Sequence, residues 1–216
     1  MSPGPPLAKS EPLDAVLPRV QTGDIFVFHC EALESRVIDA VTDSWFSHVA
    51  MAVRHPGSGQ VLIWQTDPGP IVTDPLTGDA HAGAQLGDLA DAVETTARTW
   101  GDQPFWRALD WERPAGFEDL VGQALSALDG TKYPGDVEMV LDYLLGRIDE
   151  PSPDTAMFCS EMIAATYRRI GLLSDAHPDN FYAPKDFSSE TGATLPLLQG
   201  ARLAQEVKVL LPDPPS

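Results

Sequence analysis

Two short apolar segments joined by a Pro-Gly-Ser-Gly turn constrain the fold of this chain most strongly. The segments SHVAMAV (47–53) and VLIWQT (61–66) are rich in β-branched and apolar residues and show no helix-length pattern. Pro and Gly in the intervening residues favour a reversal of the chain. The pattern therefore predicts a β-hairpin.

Other segments predict a mixed α and β domain. GDIFVF (23–28), FWRALDW (105–111) and EVKVLL (206–211) are typical of strands. Helical spacing is present at 34–42, at 116–130 before a Gly stop, and between Tyr133 and Arg147. The stretch from Asp67 to Gly87 is dense in Gly, Pro, Asp and Thr and predicts a long loop.

The length of 216 residues fits one domain that buries a sizeable core without disulfides or a metal. Pro interrupts regular structure near both ends of the sequence. We expect a Pro-rich lead at 1–21, flexible or ordered only on contact. A single catalytic domain at 22–211 and a short tail at 212–216 follow it.

Charge and composition limit the partners of the protein. The sequence has 14 Lys and Arg against 32 Asp and Glu, a net charge of -18, which repels nucleic acid and anionic lipid surfaces. It shows neither a signal-peptide pattern nor an apolar run long enough to span a bilayer. Its two cysteines lie in different contexts. We therefore expect a cytoplasmic protein without stable membrane insertion.

A candidate nucleophile opens a helix in the second half of the chain. In AMFCSEMIAATYRRIG, Cys159 and the apolar residues after it follow helical spacing, and Gly171 supplies a stop signal. A cysteine in the first turn lies where N–H groups and the helix dipole favour thiolate over thiol. The alternative is that Cys159 begins the buried stripe of the helix as a small apolar residue.

His48 is the candidate base. Strand alternation places it on one face with Ala50 and Ala52, whose small side chains leave room for a second group. An imidazole base needs a polar partner to orient it, and Gln65 in the adjoining strand can accept its Nδ1–H, with Thr66 as the alternative. The other histidines lie in turn-like or loop-like contexts: His29, His55, His81 and His177.

Taken together, TGDIFVF, SHVAMAV, VLIWQT, FCSEMIAATYRRIGLL and FYAPKDF resemble the permuted branch of the NlpC-type papain-like superfamily, the YiiX and YaeF group of amidases and cysteine peptidases. The resemblance runs from about Thr22 to Phe187. It implies an α+β, circularly permuted papain-like fold with a central antiparallel sheet packed against helices, including the nucleophile helix. The permutation is visible in the order of His48 before Cys159.

The resemblance implies Cys159 as nucleophile, His48 as general base and then acid, and a polar third residue at Gln65. That third position is often acidic in the family, so Gln is a departure. Tyr133 resembles a cleft-lining Tyr, although Pro134 and Gly135 separate it from the following Asp136. Asp24 and Glu161 match motif positions for which we expect structural turn or capping hydrogen bonds.

These residues predict a thiol hydrolase that cleaves an amide bond in a small peptide or amino-acid amide through a thioester, with no metal or organic cofactor. A lipid-directed acyltransferase or thioesterase is the alternative, with apolar cleft walls from Trp45, Phe46 and Trp64. The predicted substrate-binding residues are Tyr133, Trp64 and Trp45. A binding module that kept the fold is a third reading, and zinc at His29, Cys30, His48 and Cys159 a fourth.

Overall fold

The computed structural model describes residues 8–30, 44–75, 78–153, 155–190, 192 and 195–212. The described helices are α1 (Leu13–Val16), α2 (Leu89–Trp100), α3 (Phe117–Leu128), α4 (Asp136–Gly146) and α5 (Cys159–Arg169). The described strands are β1 (Lys9–Pro12), β2 (Ile25–His29), β3 (His48–Arg54), β4 (Val61–Asp67), β5 (Gly83–Asp88), β6 (Gln103–Arg107), β7 (Leu109–Asp110), β8 (Arg202–Leu203) and β9 (Val207–Leu210). Short 3-10 turns lie at Leu17–Arg19, Asp179–Phe181 and Pro184–Phe187.

One large sheet organises the molecule. Its strand order is β1-β9-β6-β2-β3-β4-β5, and all neighbours are antiparallel except the parallel pair β1 and β9. The predicted hairpin is confirmed as β3 and β4, paired from Met51 opposite Trp64 to Arg54 opposite Val61. This sheet and its helices form a mixed α+β fold.

The two faces of the sheet bury different cores. Along β3, Val49, Met51 and Val53 belong to the apolar core that also contains α3 and α5, while Ala50 and Ala52 belong to the core beneath α2. The alternation predicted from the sequence is therefore confirmed for β3. It brings α5 onto one face, in contact with both β3 and β4.

Two parts of the chain differ from expectation. Residues 9–12, predicted to lie in a flexible lead, form β1, because its backbone pairs in parallel with β9. The predicted loop from Asp67 to Gly87 contains β5, which pairs with β4 through Asp67 opposite Gly83. The helix predicted at 34–42 lies outside the described residues.

Helix α5 has the predicted start and stop. It begins at Cys159, and Glu161 in its first turn accepts the N–H of Phe158 at 3.4 Å. It ends before Gly171, whose φ of 74° permits the chain reversal that closes the helix. Among the described residues, none of the helices combines the length and apolar character that crossing a membrane requires.

Candidate active site

Cys159 lies where the sheet opens. The ladder between β3 and β4 stops at Met51, so the N–H of Val49 has no partner on β4. The thiol of Cys159 lies against this N–H and against that of Ser160 in the first turn of α5. The helix therefore delivers the thiol to the opening between β3 and β4, and the cysteine is only 6% exposed.

The environment of the thiol differs from the sequence expectation. Burial raises the pKa of Cys159 to about 12, although the N–H groups of Val49 and Ser160 act in the opposite direction, and the carboxyl of Asp67 raises the pKa further. Loss of water outweighs the helix terminus because a thiolate without solvent lacks most of its stabilisation. The resting cysteine is a thiol at neutral pH.

His48 begins β3 and directly precedes Val49, whose N–H faces the Cys159 thiol. Its Nε2 lies 3.3 Å from Oε1 of Gln65, and its ring lies 5.4 Å from that of Phe28 on the α2 face. An amide oxygen can only accept a hydrogen bond, so Nε2 carries the proton and Nδ1 presents a lone pair. Burial lowers the pKa of His48 to about 4, and its bond to Gln65 only partly counters this.

The thiol and the imidazole are both neutral at pH 7, and they do not hydrogen-bond to each other in this structure. They lie toward opposite faces of the sheet: Cys159 belongs to the core on the α5 face, while His48 contacts Phe28 of the opposite core. Because both groups are neutral, they do not form a preformed thiolate–imidazolium ion pair.

Of the two candidate partners for His48, the structure brings Gln65 to the imidazole. Gln65 is 1% exposed, and its contact is with Nε2 rather than with the expected Nδ1. Thr66 is the next residue along β4, so its side chain points to the opposite face. Its hydroxyl is buried and has no hydrogen-bond partner among the described residues.

A cavity of about 410 Å³ lies beside the segment that follows α3 and leads into α4. Tyr133 lines it and packs against a cluster that contains Phe158, the residue before Cys159. The N–H of Met157 donates to the carbonyl of Lys132 at 2.9 Å, which joins this wall to the segment leading into α5. The cavity is lined by Pro68, Ala82, Lys132, Tyr133, Pro134 and Gly135.

Two of the aromatic residues proposed as cleft walls are core residues. Trp64 is 2% exposed and donates its indole N–H to Thr166 of α5 at 3.1 Å, and Phe46 is fully buried. Strand alternation directs Trp64 under α5, so its burial does not support the predicted role in substrate binding. Trp45 is half-buried and stacks on His29 at a ring distance of 3.8 Å. This stacking gives Trp45 a packing role.

Sequence reasoning missed a buried carboxyl at the site. Asp67 ends β4, and burial together with the nearby charge of Asp102 raises its pKa to about 8. No described residue donates a hydrogen bond to it. Asp102 follows α2, and burial also raises its pKa, against the effect of its bonds to Cys30 and Thr96. The available signal was an Asp at the end of an apolar strand, two residues after Gln65.

The two acids expected to be structural are held by turn and capping contacts. Oδ2 of Asp24 accepts the N–H of Gln21 at 3.0 Å, and Glu161 accepts the N–H of Phe158 and the hydroxyl of Ser152. Burial raises the pKa of Glu161 to about 8. These contacts agree with the expectation for Asp24 and Glu161.

The residues considered for zinc are not brought together. Nδ1 of His29 hydrogen-bonds the carbonyl of Trp45 at 2.6 Å, and Cys30 donates to the carbonyl of Trp100 at 3.9 Å. Within the described ranges, no group of three or more His, Cys, Asp or Glu side chains is arranged to hold a metal ion.

The fold and site define an α+β protein in which a buried Cys at the start of a helix lies beside the strand that a half-buried His begins. Neither a family model nor a curated protein matches the chain. Among solved structures it is similar to the metalloprotein YiiX from Escherichia coli O157:H7, with 16% identity over 90% of this chain and 99% of that one, and a TM-score of 0.49. A likeness at this level carries no inference about activity or metal content.

Proposed function

We propose that this protein is a thiol hydrolase that cleaves an amide bond in a small peptide or amino-acid amide. The observation that carries the proposal is that the Cys159 thiol lies against the N–H of Val49, the residue next to His48, whose imidazole is held by Gln65. A nucleophile, a base and an orienting group for that base are the parts that cysteine-type acyl transfer needs. The strand of His48 precedes the helix of Cys159, which supports a circularly permuted papain-like arrangement.

In the proposed reaction, substrate binding closes the thiol and Nδ1 of His48 to hydrogen-bond distance. His48 takes the thiol proton as Sγ attacks the amide carbonyl, and it then gives that proton to the leaving amine. Water hydrolyses the thioester, with His48 again as base. Gln65 holds the Nε2–H throughout, so the same nitrogen exchanges the proton in both half-reactions.

The cavity between α3 and α4 supplies a place for one side of the substrate. Its wall at Tyr133 adjoins Phe158 and therefore the first turn of the nucleophile helix. Tyr133 and Pro134 offer apolar contact, and Lys132 places an exposed cation at the edge of an otherwise acidic protein. An amide with a small apolar group suits this cavity. The lipid-directed alternative loses the support of Trp64 and Phe46, which are buried in the core.

The thiol itself provides the test. In a Cys30→Ser background only Cys159 can be alkylated, and we expect iodoacetamide to label it through His48. His48→Ala should slow labelling at pH 7 by about 100-fold, the lower range for loss of a general base. His55→Ala, at an exposed histidine in the β3–β4 turn, serves as the matched control.

Turnover is tested with a panel of peptide and aminoacyl amides alongside acyl esters and thioesters, using intact mass to find an acyl adduct on Cys159. Cys159→Ala should abolish turnover and adduct while leaving the circular dichroism unchanged. A panel hydrolysed equally well by Cys159→Ala, or labelling that is indifferent to His48→Ala, contradicts the proposal. An adduct formed only from thioesters would favour the lipid-directed alternative.

A further inference from the structure

Two glutamines face each other across the pair β4 and β5. Gln65 is directly opposite Gln85 in the antiparallel register, and side chains of opposed residues lie on the same face of the sheet. Both are buried, with Gln85 fully inaccessible. An amide carries an acceptor at one end and two donors at the other, so the orientation of each amide decides what it offers its neighbour.

One end of each amide is already engaged. Oε1 of Gln65 faces Nε2 of His48 at 3.3 Å. Nε2 of Gln85 donates to the carbonyls of Gly69 and Gly83, each at 3.4 Å. These contacts leave Nε2 of Gln65 and Oε1 of Gln85, and within the described part of the chain neither atom has a hydrogen-bond partner.

The two remaining atoms are complementary. A buried donor and a buried acceptor left unpaired are each unfavourable, and these two belong to directly opposed residues whose Cβ atoms lie about 5 Å apart in such a pair. The two atoms are unpaired in this structure, and a hydrogen bond from Nε2 of Gln65 to Oε1 of Gln85 is the contact between these opposed residues that would satisfy both. Such a bond would join the glutamines and His48 in one continuous chain.

We propose that Gln85 is a positioning residue that fixes the orientation of the Gln65 amide and, through it, the tautomer of His48. With the nitrogen of Gln65 held by Gln85, only its oxygen faces the imidazole, so Nε2 is protonated and Nδ1 is free to take a proton. A reversed Gln65 amide would donate to Nε2, which moves the imidazole proton to Nδ1 and removes the base. Gln85 touches neither His48 nor Cys159 and acts through Gln65.

This inference rests on the proposed function only in its claim that the His48 tautomer serves catalysis. The tautomer itself is measured without turnover, by ¹⁵N spectra of the imidazole in the full-length protein at pH 7. We expect the wild type to show Nε2–H alone. Gln85→Met, which keeps the side-chain length but removes the acceptor, should show the Nδ1–H tautomer as a major form.

Two variants complete the experiment. Gln85→Glu keeps an acceptor oxygen toward Gln65 and should restore the Nε2–H spectrum. Gln103→Met is the matched control, because the amide of Gln103 also donates to two carbonyls, those of Pro104 and Val209, but lies away from Gln65. It should leave the His48 spectrum as in the wild type while producing a similar loss of thermal stability.

Reactivity gives the second readout. In the Cys30→Ser background, Gln85→Met should slow iodoacetamide labelling of Cys159 at pH 7 by about tenfold, because a wrong imidazole tautomer cannot accept the thiol proton. An unchanged Nε2–H spectrum in Gln85→Met overturns the positioning role. If Gln85→Met changes the spectrum but His48→Ala leaves the labelling of Cys159 unchanged, Gln85 keeps its positioning role and the proposed hydrolase is rejected.

Discussion

Strand β3 has a buried carboxyl near each of its ends, and the two differ in the hydrogen-bond donors around them. At the Arg54 end, Asp24 accepts four hydrogen bonds, each at 2.9 to 3.0 Å. The donors are the N–H groups of Gln21 and Leu109, the indole of Trp106 and the guanidinium of Arg113. At the His48 end, Asp67 has no donor among the described residues, and the charged group acting on its pKa is another acid, Asp102.

The difference separates scaffold from site. Burial raises the pKa of both carboxyls, but at Asp24 the four donors, including the Arg113 cation, oppose the rise, whereas no described residue opposes it at Asp67. The donors around Asp24 join the residue before β2 to β6, to β7 and to the segment after β7. Asp67 lies near the buried thiol and has no hydrogen-bond donor among the described residues. Ionising it is therefore unfavourable at this end of β3.

Removing the charge of Asp24 tests the scaffold side of the comparison and should have the largest effect. Asp24→Asn leaves the guanidinium of Arg113 without its carboxylate, and breaking a largely buried pair in this way costs about 4 kcal/mol of unfolding free energy. Urea unfolding measures this loss. Asp110→Asn, at an exposed strand residue, is the control and should change the free energy by less than about 0.5 kcal/mol. Equal losses of unfolding free energy in Asp24→Asn and Asp110→Asn would mean that the contacts of Asp24 do not stabilise this end of β3.

Asp67 should respond to pH in the opposite sense from an ordinary salt-bridged acid. Its folded-state pKa of about 8 lies above the unfolded value of 3.8, so between these values the folded protein binds more protons. The unfolding free energy contributed by Asp67 is therefore fully present below pH 3.8 and is lost progressively as pH rises from 3.8 to 8. Asp67→Asn keeps the neutral form, and we expect it to be several kcal/mol more stable than the wild type at pH 9.

Thermal melts of the two proteins from pH 5 to pH 9 provide the measurement. Glu161 also has a raised pKa near 8, but it contributes equally to both proteins and cancels in the difference. With the melts extended down to pH 3, the two curves should converge below about pH 3.8, where Asp67 is protonated in both the folded and the unfolded state. Curves that stay parallel over the whole range would mean that Asp67 is ionised like an exposed acid.

The smallest expected effect links Asp67 to the nucleophile. Its charge raises the pKa of Cys159, so removing it should favour the thiolate. In the Cys30→Ser background, Asp67→Asn should label with iodoacetamide about threefold faster at pH 9, the size expected for one partly screened charge. At pH 6 residue 67 is neutral in both proteins, because the Asp67 carboxyl is protonated and its asparagine replacement has no charge. The two labelling rates should therefore agree. A difference at pH 6 as large as that at pH 9 would assign the effect to altered packing.

The sequence was most informative where the signal was local. The Pro-Gly turn and the alternation after His48 predicted the hairpin and the face on which each β3 residue lies. The apolar stripe and Gly171 predicted the length of α5. These features depend on neighbours within a few residues, so they are visible before any tertiary contact is known. The approach of Gln65 to His48 was also accessible, because the hairpin fixes which residues meet.

The remaining features depend on distant contacts. Strand β5 has the composition of a loop and forms because β4 pairs with it and because the N–H of Ala84 donates to the carbonyl of Thr131 at 2.9 Å. Because this stretch was predicted to be a loop, the position of Gln85 opposite Gln65 could not be predicted either. The pKa of Cys159 could not be predicted from its helix position, since burial is set by elements far apart in sequence and outweighs the helix terminus.

The parallel pairing of β1 with β9 has a consequence for how the molecule assembles. These strands come from opposite ends of the described chain, and closing so large a loop sacrifices more backbone entropy than any hairpin in the sheet. The hairpins of β3, β4 and β5 can form early, whereas β1 must wait until β6 has received β9. We therefore expect that edge to pair last during folding and to separate first during unfolding, while β3, with His48 at its start, lies inside the sheet between β2 and β4.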